Sequence, residues 1–272
     1  VIRLPVFALA LLLPLSAAAL ELKGQAIQGG LLYGEVAPGS RVQLDGTAVR
    51  TDPQGRFVVG FGREAPSSAS LTVTGPDGGS ETRALTVVQR DYEIQRIDDL
   101  PQKMVTPPES VWDRIKADAA KVAAARAHDS DQPHFAGPFD WPATGIVSGV
   151  YGSQRILNGT PRQPHYGVDI AAPEGTPVLA PAGGIVRLAE TDLYYTGGTI
   201  ILDHGYGVSS TFLHMASVEV AVGERVERGG RLGTVGSTGR STGAHLDWRI
   251  NWFEERIDPQ LVVAEPMPEP AQ

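Results

Sequence analysis

Cysteine is absent from the 272 residues. That excludes a disulfide framework, a thiolate zinc site, a thiol nucleophile and the lipid-modified cysteine of a bacterial lipoprotein. Excess positive charge is missing too. The formal net charge is −8, which disfavours wholesale attraction to nucleic acid or to an anionic membrane surface. A membrane-spanning run is also lacking. The uncharged stretch from Leu4 to Leu15 is shorter than the roughly 20 residues a span requires. Preceded by Arg3 and followed by Ser16-Ala17-Ala18-Ala19, it reads as a secretory signal cut near Ala19. The expectation is a periplasmic or secreted protein with no permanent membrane anchor.

What the chain does have is glycine (32) and proline (21), a turn-rich composition. Across residues 20–105, short alternating runs such as Arg41-Val-Gln-Leu and Ser70-Leu-Thr-Val-Thr74 lie between turn clusters such as Asp52-Pro-Gln-Gly55. This pattern predicts a small β-sandwich or open barrel, a binding or spacer module without a titratable cluster. The period changes over 106–134. Thr106-Pro-Pro-Glu109 has the form of a helix start, and Val111, Ile115, Ala119 and Val122 recur at helical spacing. Asp129-Ser-Asp-Gln-Pro133 then breaks this linker helix, and His128 and His134 beside the break read as solvated. Over 135–262 short apolar or alternating runs return and predict an antiparallel β domain, followed by a proline-rich tail over 263–272. The fold class is therefore mostly β.

Chemistry-bearing residues concentrate in that last domain. Four of the six histidines, His165, His204, His214 and His245, fall within it, and Asp169 and Asp247 stand four and two residues beyond His165 and His245. On extended strands, residues at even offsets share a face, so His165 can meet Asp169, and His245 can meet Asp247. Two such strands side by side would cluster imidazole and carboxylate. A catalytic divalent metal needs such a set: about three N/O ligands and one open position. His204, in Asp203-His-Gly, reads as structural, its ring held by Asp203. Arg155, Arg162, Tyr194, Tyr195 and Arg240 are candidates to line a cleft, arginine being suited to peptide carboxylates.

These residues sit in recognisable motifs: Pro164-His-Tyr-Gly-Val-Asp169, Gly198-Thr-Ile-Ile-Leu-Asp-His-Gly205, Thr211-Phe-Leu-His-Met215, Val222-Gly-Glu-Arg-Val226 and Gly233-Thr-Val-Gly-Ser-Thr-Gly-Arg-Ser-Thr-Gly-Ala-His245. In this order they resemble the M23, or lysostaphin/LytM-type, metallopeptidases over roughly Val147 to Pro259. The resemblance implies a C-terminal domain of LytM, or duplicated-hybrid-motif, type. It also implies a zinc endopeptidase acting on peptide cross-links or stem peptides of bacterial peptidoglycan. Carried over by motif, His165 and Asp169 are metal ligands, and His214 and His245 are catalytic histidines. The third ligand falls at Asp247, where the family usually has histidine. Carboxylate is a legitimate zinc ligand of suitable reach. Two carboxylates would, however, formally cancel one Zn²⁺ per chain, weaken its Lewis acidity and tilt preference toward Mn²⁺ or a similar ion. The departure keeps a second reading open: a degenerate regulator that activates a cell-wall amidase or a divisome partner. A third is a wall-binding scaffold that uses the N-terminal sandwich.

Overall fold

The computed structural model of the protein describes residues 20–97, 108–157 and 159–267. The expected signal segment 1–19 and the expected helix start at Thr106 lie outside them. The chain is mostly β, as its alternation predicts.

In the N-terminal half, β1 (Glu21–Gly24), β2 (Leu31–Glu35) and β5 (Arg56–Gly60) form one antiparallel sheet in the order β1-β2-β5. A second sheet has the order β4-β3-β6-β7, from β3 (Arg41–Leu44), β4 (Thr47–Val49), β6 (Ser68–Thr74) and β7 (Ser80–Thr86). The two sheets close on Leu32, Val42, Phe57, Val59, Leu71 and Leu85, which makes a sandwich. Period two along β2 and β5 has a further effect. Leu31 and Val58, on the opposite face from Leu32, Phe57 and Val59, belong to the core of the C-terminal half. Strands β2 and β5 thus contribute to two cores, one on each face, whereas β1 at the sheet edge is largely exposed.

The linker forms α1 (Trp112–Arg126). Val122 and Ala125 pack on Leu188, Leu193 and Ile201, whereas Ala119 is exposed and Val111 precedes the helix. The apolar face is therefore narrower than the sequence spacing suggests. Charge completes the docking: Arg114 pairs with Asp192 and Lys121 with Glu190, both at 2.9 Å.

The C-terminal half follows with β9 (Ile146–Gly149), β10 (Gln154–Leu157), β11 (Thr160–Pro161), β12 (Val168–Ala171), β13 (Pro177–Leu179) and β14 (Gly184–Leu193). It continues through β15 (Gly197–Gly205), β16 (Val208–Val218), β17 (Arg225–Val226), β18 (Arg231–Val235), β19 (His245–Trp252) and β20 (Glu255–Ile257). Among the described residues its main sheet runs β17-β14-β15-β16-β19-β12-β9. One face of β19 contributes Leu246, Trp248 and Ile250 to the core, and the other carries His245, Asp247, Arg249 and Asn251. The chain beyond 262 is docked as far as it is described. Val263 bridges to Phe139, Trp141 Nε1 donates to the Glu265 carbonyl at 3.0 Å, and Met267 packs on the core.

The last described strand of the N-terminal half, β8 (Ile94–Ile97), pairs in parallel with β10. Arg90 also pairs with Asp258 at 2.9 Å, and Arg63 Nε donates to the Gly152 carbonyl at 2.9 Å. The halves should therefore unfold together. Leu31→Ala is expected to cost about 2–5 kcal/mol, lost in a single denaturant transition seen alike by tryptophan fluorescence and by backbone dichroism. Two separated transitions would contradict the shared core.

Candidate metal centre

The centre is assembled by register. β12 lies antiparallel to β19 with Asp169 directly across from Asp247 and Ala171 across from His245, while β16 flanks the other side with Leu213 across from Asp247. Both carboxylates therefore project from one face. His165 is not on a strand, contrary to the simple alternation argument. It lies in the loop before β12, where its backbone N–H donates to the Ser153 carbonyl and Gly152 N–H donates to its own carbonyl. Close approach depends on Gly167: a Cβ there would lie 2.4 Å from Asp247 Oδ1 and 2.7 Å from Arg249 Cγ.

His165 Nε2 stands 3.1 Å from Asp169 Oδ1 and 3.6 Å from Asp247 Oδ2, and the three ligand atoms all lie within 4.8 Å of one another. A tetrahedral ion with bonds near 2.0–2.1 Å separates its ligand atoms by about 3.3 Å. The spacing fits. So does the chemistry. His165 Nδ1 faces the Val150 carbonyl at 3.2 Å, which can only accept, so Nδ1 carries the proton. Nε2 is then a buried atom without a hydrogen-bond partner, aimed at two carboxylate oxygens. Ligating histidines characteristically donate their other ring N–H in this way.

Two further imidazoles complete the face. His214 Nδ1 donates to the Thr238 carbonyl at 2.8 Å and His245 Nδ1 to the Gly243 carbonyl at 2.9 Å, which turns both Nε2 atoms away from the backbone. Their ring centroids are 4.8 Å apart, and His245 Nε2 is 3.8 Å from Asp169 Oδ1. His214 occupies the left-handed region at φ 65°, uncommon for a residue with a side chain. There β16 stops pairing with β19, at Leu213, and begins pairing with β18, at Met215. The strain coincides with the turn that presents the ring.

Electrostatics follow from this crowding. Burial opposes a charged ring at His165, but Asp169 and Asp247 more than offset it, and its pKa rises to about 10. Burial would push Asp247 upward, yet the Arg249 guanidinium and His165 hold it well below the usual carboxylate range. Burial lowers His214, which is therefore neutral near pH 7. Arg249 Nε lies 3.0 and 3.2 Å from the two Asp247 oxygens, and Nη2 2.5 Å from Oδ2. Sequence reasoning missed this arginine, although two residues beyond Asp247 on a strand it had to share that face.

His204 is fully buried and remote in role. Its Nδ1 donates to the Gly183 carbonyl at 2.7 Å, its Nε2 meets Ser210 Oγ at 2.8 Å, and burial lowers its pKa to about 4. Asp203 does not hold this ring. Its Oδ2 is taken by Arg187, and its Oδ1 accepts from Gly205 N–H, because the aspartate side chain follows the opposite face of β15. His128 is exposed, and His134 lies over Gly183 beside Arg225. Tyr195 stacks under Arg240 at 4.5 Å, next to Thr196, whose carbonyl accepts from His214 N–H, so this pair borders the His214 side. Tyr194 is instead tied to the linker helix through Asp118. Arg162 Nε is buried beside the His165 loop, and the Arg155 side chain lies outside the described residues.

A profile described as Peptidase family M23 matches residues 163–259, the segment that carries His165, Asp169, His214, His245, Asp247 and Arg249. The chain carries a domain of peptidase family M23. ShyA, named a peptidoglycan DD-endopeptidase of Vibrio cholerae, is 35% identical to it over 105 residues, 38% of this chain and 24% of that protein. DipM, named a cell division protein of Caulobacter vibrioides, is 30% identical over 165 residues, 58% of this chain and 26% of that protein. The chain thus spans about a quarter of the length of the curated relatives it matches. A solved structure from Pseudomonas aeruginosa assigned to peptidase M23 aligns with a TM-score of 0.63 at 29% identity, over 88% of this chain and 96% of that one. That likeness reaches well beyond the M23 domain into the N-terminal half.

The His165 shift has a measurable consequence. Its folded pKa of about 10 exceeds the unfolded value of about 6.5. In metal-free protein its stabilising contribution is therefore complete below pH 6.5 and lost as pH rises through about 10. A cation that uses Nε2 must displace that proton. Calorimetric titration of zinc at pH 7, in buffers of different ionisation heat, should report release of about one proton per site. A buffer-independent heat would count against His165 as a ligand.

Proposed function

We propose that the protein is a zinc-dependent endopeptidase acting outside the cytoplasm on peptide cross-links or stem peptides of bacterial peptidoglycan. The observation that carries this reading is the convergence of three imidazoles, from the His165 loop, β16 and β19, on the two carboxylates that face each other across β12 and β19. The relatives' names and the signal-like residues 1–19 support the substrate and the compartment.

His165, Asp169 and Asp247 would hold the ion, which when bound supplies Lewis acidity toward the scissile carbonyl and a lowered pKa for water. The chain's own groups supply the proton traffic. His214, neutral near pH 7 and with its Nδ1 proton committed to Thr238, can only accept at Nε2, the property of a general base toward the attacking water. His245, committed to Gly243 in the same way, accepts at Nε2 when neutral and donates there once protonated. A ring that has taken the proton can then hydrogen-bond the developing oxyanion or return the proton to the leaving amine. The fixed backbone acceptors at Thr238 and Gly243 keep both rings from rotating away during this exchange. A regulator that hydrolyses nothing has no use for this pair, which is why the peptidase reading is preferred.

His214→Ala should leave zinc content near one per chain while removing at least about 10²-fold of hydrolysis. The readouts are elemental analysis and mass spectrometry of peptides released from purified sacculi. Asp169→Ala should lose both metal and activity. Full wall hydrolysis by His214→Ala would sink the assignment.

A further inference from the structure

We propose that Arg249 is a positioning residue that sets the charge of the metal centre, taking up the second negative charge that Asp247 introduces. The inference rests on the peptidase reading above. Asp247 is only 3% exposed, and both of its oxygens are engaged by one guanidinium. Among the described residues it is Arg249's only ion-pair partner. Oδ2, which receives the 2.5 Å bond from Nη2, is also the oxygen that faces His165 Nε2. The guanidinium is thus coupled to the very atom that would touch the ion. An ionised carboxylate offers about four lone-pair sites, so one oxygen can serve an arginine and a metal together. The pair is built in. Any side chain at residue 167 would strike Asp247 and Arg249 at once.

The charge count shows what this does. Neutral His165 with Asp169 and Asp247 carries −2, which would cancel a divalent ion and blunt its Lewis acidity. Arg249 brings the set to −1, so a bound dication keeps a net +1. That is the balance of a site with one carboxylate and two imidazoles. The arginine opposes the cation's affinity while preserving its strength as an acid. Affinity and chemistry should therefore move in opposite directions when the charge is removed. A purely structural clamp on Asp247 would make them fall together.

The test uses the full mature chain and zinc alone, with affinity measured by chelator competition. Arg249→Gln keeps a donor near Asp247 and deletes the charge. It should bind zinc more tightly by at least about tenfold, since a cation a few ångströms from the ion is removed. It should also hydrolyse sacculi more slowly, and the acid limb of its kcat/KM profile should move upward by on the order of one pH unit. Arg249→Lys retains the charge without the fork and should stay within a few-fold of wild type in zinc affinity. It keeps the proposal testable if Arg249→Gln fails to fold. Zinc bound by wild type but unchanged or weakened in Arg249→Gln would overturn this proposal and leave the peptidase reading standing. So would zinc affinity lost in Arg249→Lys. Zinc bound by neither wild type nor Arg249→Gln would remove the peptidase reading, and this inference with it.

Discussion

Two carboxylates stand directly across from each other on neighbouring strands, Asp169 on β12 and Asp247 on β19. Like charges at facing positions repel, and these lie at a partly buried face where water screens them poorly. Every other feature of the centre can be understood as a response to that pairing. His165 leaves the strand so that its ring can lie between them. Arg249 reaches along the same strand to Asp247. Gly167 removes the side chain that would hold these groups apart. A divalent ion is the partner that answers both carboxylates at once, and an imidazolium at His165 is its monovalent substitute.

Against this acidic centre, the backbone fixes the imidazoles. Val150, Thr238 and Gly243 each offer a carbonyl to one Nδ1; Val150 follows β9, and the other two lie in the single loop between β18 and β19. Tautomer choice at the centre is therefore a property of the loops, while carboxylate placement is a property of the sheet. The left-handed residue at His214 is where these two systems meet: one backbone torsion ends the pairing with β19, starts the pairing with β18 and delivers the ring.

Much of the centre was legible in the sequence because it is written in period two and in motif order. His165, Asp169, His214, His245 and Asp247 could all be named from spacing and resemblance. The consecutive apolar residues Phe57-Val58-Val59 carried a signal for a strand buried on both faces. What stayed hidden depends on contacts between distant segments. Asp203 precedes His204 in the chain, yet Arg187, on the neighbouring strand, takes its carboxylate. No local pattern announces a positive φ at a histidine. The parallel pairing of β8 with β10 joins segments some sixty residues apart. Arg249 was within reach of the alternation argument, but its identity drew no notice because a strand arginine is usually solvated.

The β8–β10 pairing bears on what counts as a module in this chain. Glu93 offers its carbonyl to Gln154 N–H, and the neighbouring Ser153 carbonyl accepts from His165 N–H, so the N-terminal half supports the loop that carries His165. Together with the strands β2 and β5 shared between the two cores, this makes residues 163–259 the span of the family match but not a unit of folding. Transplanted alone, that segment would arrive with a bare apolar face and an unsupported loop. The cassette suited to recombination is the whole described body, sandwich included.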